Sequence, residues 1–103
     1  MSGPQPEVRS FSLVIESLQL PRYTFHLHND LETEDLVGKV FPDLASAKAH
    51  ATAQARLMVS FSADEYGKID LRHFISVRDI DGSVLAMVRF EDAVQFVREG
   101  KPV

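Results

Sequence analysis

The alternation of apolar and polar residues is clearest between His73 and Phe90, which read HFISVRDIDGSVLAMVRF. Two runs rich in β-branched and large apolar residues flank the tetrapeptide Asp79–Gly82. An Asp-Gly pair between such runs is a strong local signal for a β-hairpin. This stretch therefore predicts two antiparallel strands joined by a short turn.

The sequence leaves two registers open for this hairpin. A two-residue loop would pair Val77 with Ala86, whereas a type I turn with Gly82 in the left-handed conformation would pair Val77 with Leu85. We favour the second register, because the Asp79 side chain can then close an Asx turn over the loop. That register places four apolar side chains on one face: Ile75, Val77, Leu85 and Met87.

A second hairpin is predicted nearer the start of the chain. Residues 22–28 alternate aromatic or aliphatic side chains with polar ones, which is typical of a half-buried strand in an antiparallel sheet. The polar positions are Thr24, His26 and His28. We expect this polar row to face solvent or a partner. Asn29 and Asp30 open a turn, and residues 36–41 should return as the second strand, with Gly38 as its weak point.

Between the hairpins, residues 44–66 predict a helix without internal Gly or Pro. Asp43 is a favourable N-cap, because its carboxylate can accept from the free amides of the first turn. Gly67 is the expected left-handed C-cap. One helical stripe is expected to be buried: Leu44, Ala47, Ala51, Ala55, Met58 and Ser62. The stripe is mostly alanine, so the helix axis should lie close to the sheet.

The order strand, strand, helix, strand, strand predicts an α+β fold. We expect a ββαββ two-layer sandwich, with an antiparallel sheet and one long amphipathic helix on one face. A short C-terminal helix after Phe90 is expected to bury Val94 and Val97 and to end at Gly100. The single domain should span residues 21–98.

The first twenty residues are expected to lie outside this domain. Residues 1–9 lack a periodic apolar pattern and predict a disordered lead, while residues 10–20 fit an additional strand or a helix equally well. The start lacks the features of a secretory signal, and no apolar run is long enough to cross a bilayer. We therefore expect a cytoplasmic protein without membrane contact, and the absence of cysteine suits that reducing compartment.

The best metal candidates are His26 and His28, which share one face of a strand, together with Asp30. A closed zinc site needs four converging ligands, and the sequence shows no fourth. We therefore predict a solvated polar face, with no metal and no other cofactor.

Asp70, Arg72 and His73 suggest acid–base chemistry only weakly, because the sequence shows neither a reacting partner nor a tuned pKa. A charged stretch leading into a strand explains them equally well. His50 is expected on the solvated flank of the helix. There is no cysteine nucleophile, Gly-rich phosphate loop or serine elbow, so we predict that the protein is not an enzyme.

The net charge of −4 argues against non-specific binding to nucleic acid. The charge is unevenly distributed, however: residues 1–43 carry three basic and seven acidic side chains, and residues 44–103 carry eight of each. A local basic surface in the second half would consist of Arg72, Arg78 and Arg89.

Three ordered motifs resemble a known family. The motifs are PRYTFHLHND, FPDLASAKAHA and GKIDLRHFISVRDIDGSVLAMVRFEDAV. They are similar to the first strand, helix start and hairpin of short bacterial proteins catalogued as a domain of unknown function. The likeness covers roughly residues 21–96, and the chain departs from the family in its first twenty residues and at Phe41. It implies a compact domain without an established activity.

A second likeness, over residues 22–58, is to antitoxins of the HicB type. Those proteins also run from an aromatic strand through a hairpin into an amphipathic helix. The likeness implies a regulator that binds a small toxin and often DNA through an added segment, but no such segment is apparent here.

These observations predict a small non-enzymatic protein that acts through a protein interface, either as a homo-oligomer such as a homodimer or with a small protein partner. One alternative is an antitoxin-like or nucleic-acid-linked regulator. A second is a metal-binding protein that uses His26 and His28. The candidate interface residues are Thr24, His26, His28, Arg72, Arg78 and Arg89.

Overall fold

A computed structural model of the chain describes residues 20–30 and 32–102. The expectations for residues 1–9 and 10–19 lie outside these described residues. Within them, no helix is both long enough and apolar enough to span a membrane.

An antiparallel sheet forms one layer of the fold. Its strands are β1 (Arg22–His28), β2 (Glu32–Thr33), β3 (Lys39–Val40), β4 (Phe74–Arg78) and β5 (Val84–Arg89). They are ordered β2-β1-β4-β5, and β3 pairs with β1 beside β2. The second layer is α1 (Leu44–Tyr66), followed after β5 by the single turn α2 (Phe90–Ala93). The predicted α+β fold with one long helix is confirmed.

The helix begins and ends where the sequence predicts. The Asp43 carboxylate accepts from the Ser46 N–H at 2.8 Å, and Gly67 ends the helix with a φ of 65°. On the buried side, Ala47, Ala51 and Ala55 are 0% exposed. Their lack of bulk brings the helix backbone close to the sheet.

The predicted stripe is wrong in one respect, since the position buried beyond Ala55 is Val59 and the predicted Met58 and Ser62 are only half-buried. The buried alanines recur every four residues, and Val59 continues that spacing. The core combines this helix face with the inner side chains of the sheet: Tyr23, Phe25, Ile75, Val77, Val88, Phe90 and Ala93.

The strand predicted over residues 36–41 is wrong in its extent, because only Lys39–Val40 pairs with β1. The cause is Asp35, whose Oδ1 accepts from the N–H groups of Val37 and Gly38 and whose Oδ2 accepts from the Phe25 N–H. The carboxylate thus replaces a strand partner and folds residues 35–38 into a turn.

Gly38 is required at this turn. Its φ is 74°, and a Cβ at this position would lie 2.6 Å from the Tyr23 carbonyl oxygen. Any other residue would therefore combine left-handed backbone strain with a clash against β1.

The favoured register of the central hairpin is wrong for most of its length. Val77 pairs with Ala86, but Arg78 pairs with Val84, so Leu85 is an extra residue that forms a β-bulge. The turn chemistry of the favoured register nevertheless holds at the tip. Asp79 Oδ1 accepts from the Asp81 and Ser83 N–H groups, and Gly82 has a φ of 88°.

The bulge moves two side chains away from the predicted inner face. Met87 pairs with Ser76 and is 49% exposed, while Leu85 at the bulge is 41% exposed. Val88 and Ala86 occupy the inner positions opposite Ile75 and Val77 instead.

The C-terminal helix is shorter than predicted. It contains only Phe90–Ala93, and a two-stranded hairpin follows, formed by β6 (Val97–Arg98) and β7 (Lys101–Pro102). Val94 is half-buried as expected, but Val97 is 54% exposed. The helix ends because Val94 adopts an extended backbone, with a φ of −132° and a ψ of 157°. Glu99 and Gly100 both have positive φ values and form the turn between β6 and β7.

The alanine contact can be tested by overpacking. Ala51→Leu inserts a large side chain where none is accommodated, and we expect it to lower the free energy of unfolding by about 1–3 kcal/mol. Ala53→Leu is the matched control, because Ala53 is exposed on the same helix and should change stability by no more than about 0.5 kcal/mol. Urea unfolding followed by circular dichroism measures both. Equal stabilities of the two variants would contradict the packing described.

Candidate functional site

The helix covers one face of the sheet, and the opposite face is the candidate site. We call it the open face, and define it by residues that alternate with the buried ones on the three long strands. Its members are Thr24, His26, His28, Phe74, Ser76, Arg78, Val84, Met87 and Arg89. The three polar β1 residues predicted to share a face do so.

A hydrogen-bond network fixes the centre of the open face. Ser76 is only 2% exposed, and its hydroxyl lies 2.9 Å from His28 Nε2 and accepts from Arg78 Nε at 3.1 Å. His28 Nδ1 lies 3.0 Å from a Glu32 carboxylate oxygen. The His28 tautomer that carries its proton on Nδ1 can donate to Glu32 and accept a hydrogen bond from the Ser76 hydroxyl at Nε2. The His28 ring also stacks on Phe74 at 4.4 Å between centroids.

His26 lies beside this network and is half-buried. Its Nε2 is 3.1 Å from the Thr24 hydroxyl. Burial lowers the pKa of His26, and the Arg78 guanidinium lowers it further, against the opposing effect of Glu34 and Asp35. The neutral imidazole is therefore favoured, which suits a hydrogen-bonding surface more than a charged one.

The β5 side of the open face is apolar. Val84 is 52% exposed and Met87 is 49% exposed, and the bulge residue Leu85 is exposed beside them. Arg89 lies at the end of the strand and its guanidinium is 3.4 Å from a Glu91 carboxylate oxygen. The face thus combines an apolar border with a fixed polar centre.

Arg72 is not part of the open face. Its Nε and terminal nitrogen donate to the two oxygens of Asp70 at 2.9 and 2.7 Å, so the pair is bidentate. The side-chain hydrogen bond from Arg72 is the largest cause of a strongly lowered Asp70 pKa. The basic surface proposed from sequence therefore does not form as one patch, since Arg72 and Arg89 are each paired with a carboxylate.

The metal ligands suggested by the sequence do not come together as a trio. Among the described residues, three potential ligand atoms within 4.8 Å of one another are found instead at Asp30, Asp70 and His73. His73 Nε2 lies 3.4 Å from Asp70 and 3.8 Å from Asp30. Arg72 already occupies both Asp70 oxygens, and no fourth His, Cys, Asp or Glu of the described chain joins the group. The group places two carboxylates near a half-buried histidine whose Nε2 forms no hydrogen bond within the described chain.

This cluster forms part of the wall of a mostly apolar groove of about 990 Å³ between α1 and the end of β1. Leu57, Phe61 and Tyr66 of the helix line it and are 72%, 60% and 65% exposed. The sequence did not reveal this groove, because the residues that form it come from distant segments. Large apolar side chains at four- and five-residue spacing along the helix, at Leu57, Phe61 and Tyr66, were its one local signal.

His50 also differs from expectation, since it is half-buried and not solvated. Its ring contacts Phe25 and Phe41, with centroids 4.9 and 5.1 Å apart. Burial, and then the nearby Lys39 charge, lowers the pKa of His50. His50 is therefore a packing residue at the edge of the core.

Residues 22–91 match the model of a protein family, described as the domain of unknown function DUF6894. The chain belongs to this family. The DUF6894 match begins with β1 and ends in α2, so it includes every strand of the main sheet and the whole of α1. No curated protein and no solved structure matches the chain.

Asp35, for which the sequence predicted no role, controls the edge of the DUF6894 sheet next to the open face. Burial acts to raise its pKa, but hydrogen bonds from the Gly38, Phe25 and Val37 N–H groups together outweigh it, and the pKa is lowered. The spacing Asp35-x-x-Gly38 was the local signal that could have indicated this turn.

Replacing Asp35 by Asn should remove a pH-dependent part of the stability. The lowered folded-state pKa means that the carboxylate stabilises the fold above about pH 4, and that this contribution is lost as the pH falls through the folded-state value. We expect Asp35→Asn to cost about 1–3 kcal/mol at pH 7 through weaker hydrogen bonds, with the difference from wild type shrinking towards pH 3.

The matched control for this experiment is Glu34→Gln, which removes the same charge from an exposed neighbour. Urea unfolding of the three proteins at a series of pH values gives the comparison. If the difference in the free energy of unfolding between wild type and Asp35→Asn stays constant from neutral to acid pH, the carboxylate charge is not the cause of that difference.

Proposed function

We propose that this chain is a non-enzymatic interaction domain of the cytoplasm, and that it binds a protein partner through the open face of its sheet. The observation that carries the proposal is the composition of that face. Exposed Val84 and Met87 of β5 lie beside Arg78 and Ser76 of β4, with His26 and His28 on the far side of β4, on a surface that no described element covers. Met and Arg are enriched at protein interfaces, whereas a purely solvated face would favour Lys and Glu.

The polar centre of the face supports binding because its geometry is already fixed. His28 is held by Glu32, Ser76 and the Phe74 ring, and Arg78 is held by Ser76. Side chains that are ordered before binding lose little conformational entropy when a partner covers them. A partner can therefore gain contacts to this centre at a small ordering cost.

Neither alternative function is supported by a comparable observation. Nucleic-acid binding would require free cationic side chains on one surface, but Arg72 and Arg89 are paired with Asp70 and Glu91. Metal binding through His26 and His28 would require converging ligands, and each ring instead contacts neighbouring hydroxyl or carboxylate groups. We therefore propose only the interaction function.

A charge placed on the open face tests the proposal. Thr24→Glu puts a carboxylate opposite Arg78 in the β1–β4 ladder, where it can pair with the guanidinium and should leave the fold intact. In affinity capture from a lysate of the source cells, we expect this variant to retain about tenfold less of the proteins that wild type retains. Quantitative mass spectrometry measures the difference.

Ala53→Glu is the control, because it adds the same charge to an exposed position of α1 on the other layer. It should capture the same proteins as wild type. The proposal fails if wild type retains nothing above an empty resin, or if Thr24→Glu and Ala53→Glu retain equal amounts.

A further inference from the structure

The outer edge of β5 is a second unpartnered feature of the sheet. Within the described residues, β5 pairs only with β4, whereas β1 at the other side is joined by both β2 and β3. An edge strand exposes backbone N–H and C=O groups that can pair with another chain, and proteins usually protect such strands with charged side chains, Pro, β-bulges or a covering segment. The β5 sequence VLAMVR contains neither Lys nor Pro, and its protective features, the bulge at Leu85 and the charge of Arg89, lie at its two ends.

The phase of the β4–β5 ladder shows which backbone groups are free. The Phe90 N–H donates to the His73 carbonyl at 2.9 Å. Phe90 and His73 therefore form a hydrogen-bonded pair, and such pairs recur at every second position of an antiparallel ladder. Val88, two residues before Phe90 and opposite Ile75, belongs to the next hydrogen-bonded pair, so its backbone N–H and C=O groups point towards β4. Met87 and Arg89 consequently direct their N–H and C=O groups outward, to the unpaired edge.

The other side of the sheet supports this assignment. There the outward N–H of Phe25 is satisfied by the Asp35 carboxylate, and β1 is covered by short strands. The same kind of group on β5 has no such partner among the described residues. The bulge at Leu85 ends the regular part of the edge, which leaves the stretch Ala86–Arg89 straight enough to pair.

We propose that the β5 edge pairs antiparallel with the β5 edge of a second copy of this chain, and so joins two sheets into one continuous sheet. With Val88 on the two-fold axis, Met87 of each copy lies opposite Arg89 of the other, and each such pair exchanges its outward hydrogen bonds. This register keeps the two Arg89 charges from facing each other, which cross-strand pairing disfavours. It also suits the self-complementary contact that a two-fold dimer requires.

The edge contact is short, and that sets the strength of the dimer. Stable dimers bury about 1,200–2,000 Å² of surface. The edge contact pairs only a few residues, with flanking contacts from Met87 and Val84, so it buries less surface than that. We therefore expect a dissociation constant in the micromolar range. The inference goes beyond the proposed function, since it concerns the strand edge and requires no contact on the β1 side of the open face.

Proline at an outward-facing N–H tests the edge directly. Arg89→Pro removes that N–H without breaking the β4 ladder, and the φ of −81° at Arg89 is close to the value that proline requires. Arg89→Gln keeps the N–H and removes only the charge. Sedimentation equilibrium of the full chain up to about 300 μM should give wild-type and Arg89→Gln masses approaching twice 11.5 kDa, with affinities within about threefold of each other.

We expect Arg89→Pro to weaken association by at least about tenfold while keeping its circular dichroism spectrum and thermal melting. If this variant does not fold, amide hydrogen exchange of wild type gives an independent answer, because the Met87 and Arg89 amides should exchange more slowly at high than at low protein concentration. A wild-type mass that stays at one chain, equal association of a folded Arg89→Pro, or concentration-independent exchange at Met87 each overturns the inference. Thr24→Glu should dimerise as wild type does, so loss of partner capture and loss of dimer remain separate results.

Discussion

The close approach of α1 to the sheet depends on three alanines, and much of the remaining structure follows from it. Ala47, Ala51 and Ala55 present no bulk to the sheet, so Ile75 and Val77 of β4 are completely covered by the helix layer. A small protein has little apolar area to bury, and close packing over a single layer makes the most of it. Because its side chains on this side are short, however, the helix covers only part of the sheet.

The consequence is a sheet with two different faces. The inner face is apolar, whereas the open face is centred on Ser76, a nearly buried hydroxyl that joins His28 to Arg78. A buried polar group needs its hydrogen bonds satisfied, and here the neighbouring strands supply them. The network therefore replaces a second helical layer as the means by which the outer side of β4 is kept ordered.

Local chemistry explains what could be predicted from the sequence. The Asp43 cap, the Gly67 cap and the Asp79 Asx turn each depend on groups within a few residues, and all were predicted. The bulge at Leu85 was not predicted. The turn favours the register in which Arg78 pairs with Val84, whereas the inner apolar positions of β5 favour the register in which Val77 pairs with Ala86. The structure satisfies both by inserting one residue.

Long-range contacts account for most of what the sequence could not show. The network of His28 with Ser76 spans almost half the chain, and the association of Asp30 with His73 joins two loops that share no pattern. The candidate face itself was predictable, because period-two alternation in β1 placed Thr24, His26 and His28 together. Its apolar border was not, since the bulge turns Met87 outward.

The turn at residues 35–38 has a bearing on how variable this part of the chain can be. Asp35 binds β1 through the Phe25 N–H, and Gly38 passes so close to Tyr23 that no side chain fits. The number of residues between Asp35 and Gly38 is thereby fixed, and an inserted or deleted residue would detach the loop from β1. Leu36 and Val37, 85% and 75% exposed, are free to change in character but not in number. In related sequences we therefore expect this surface loop to vary in residue type at positions 36 and 37 but to keep the same length.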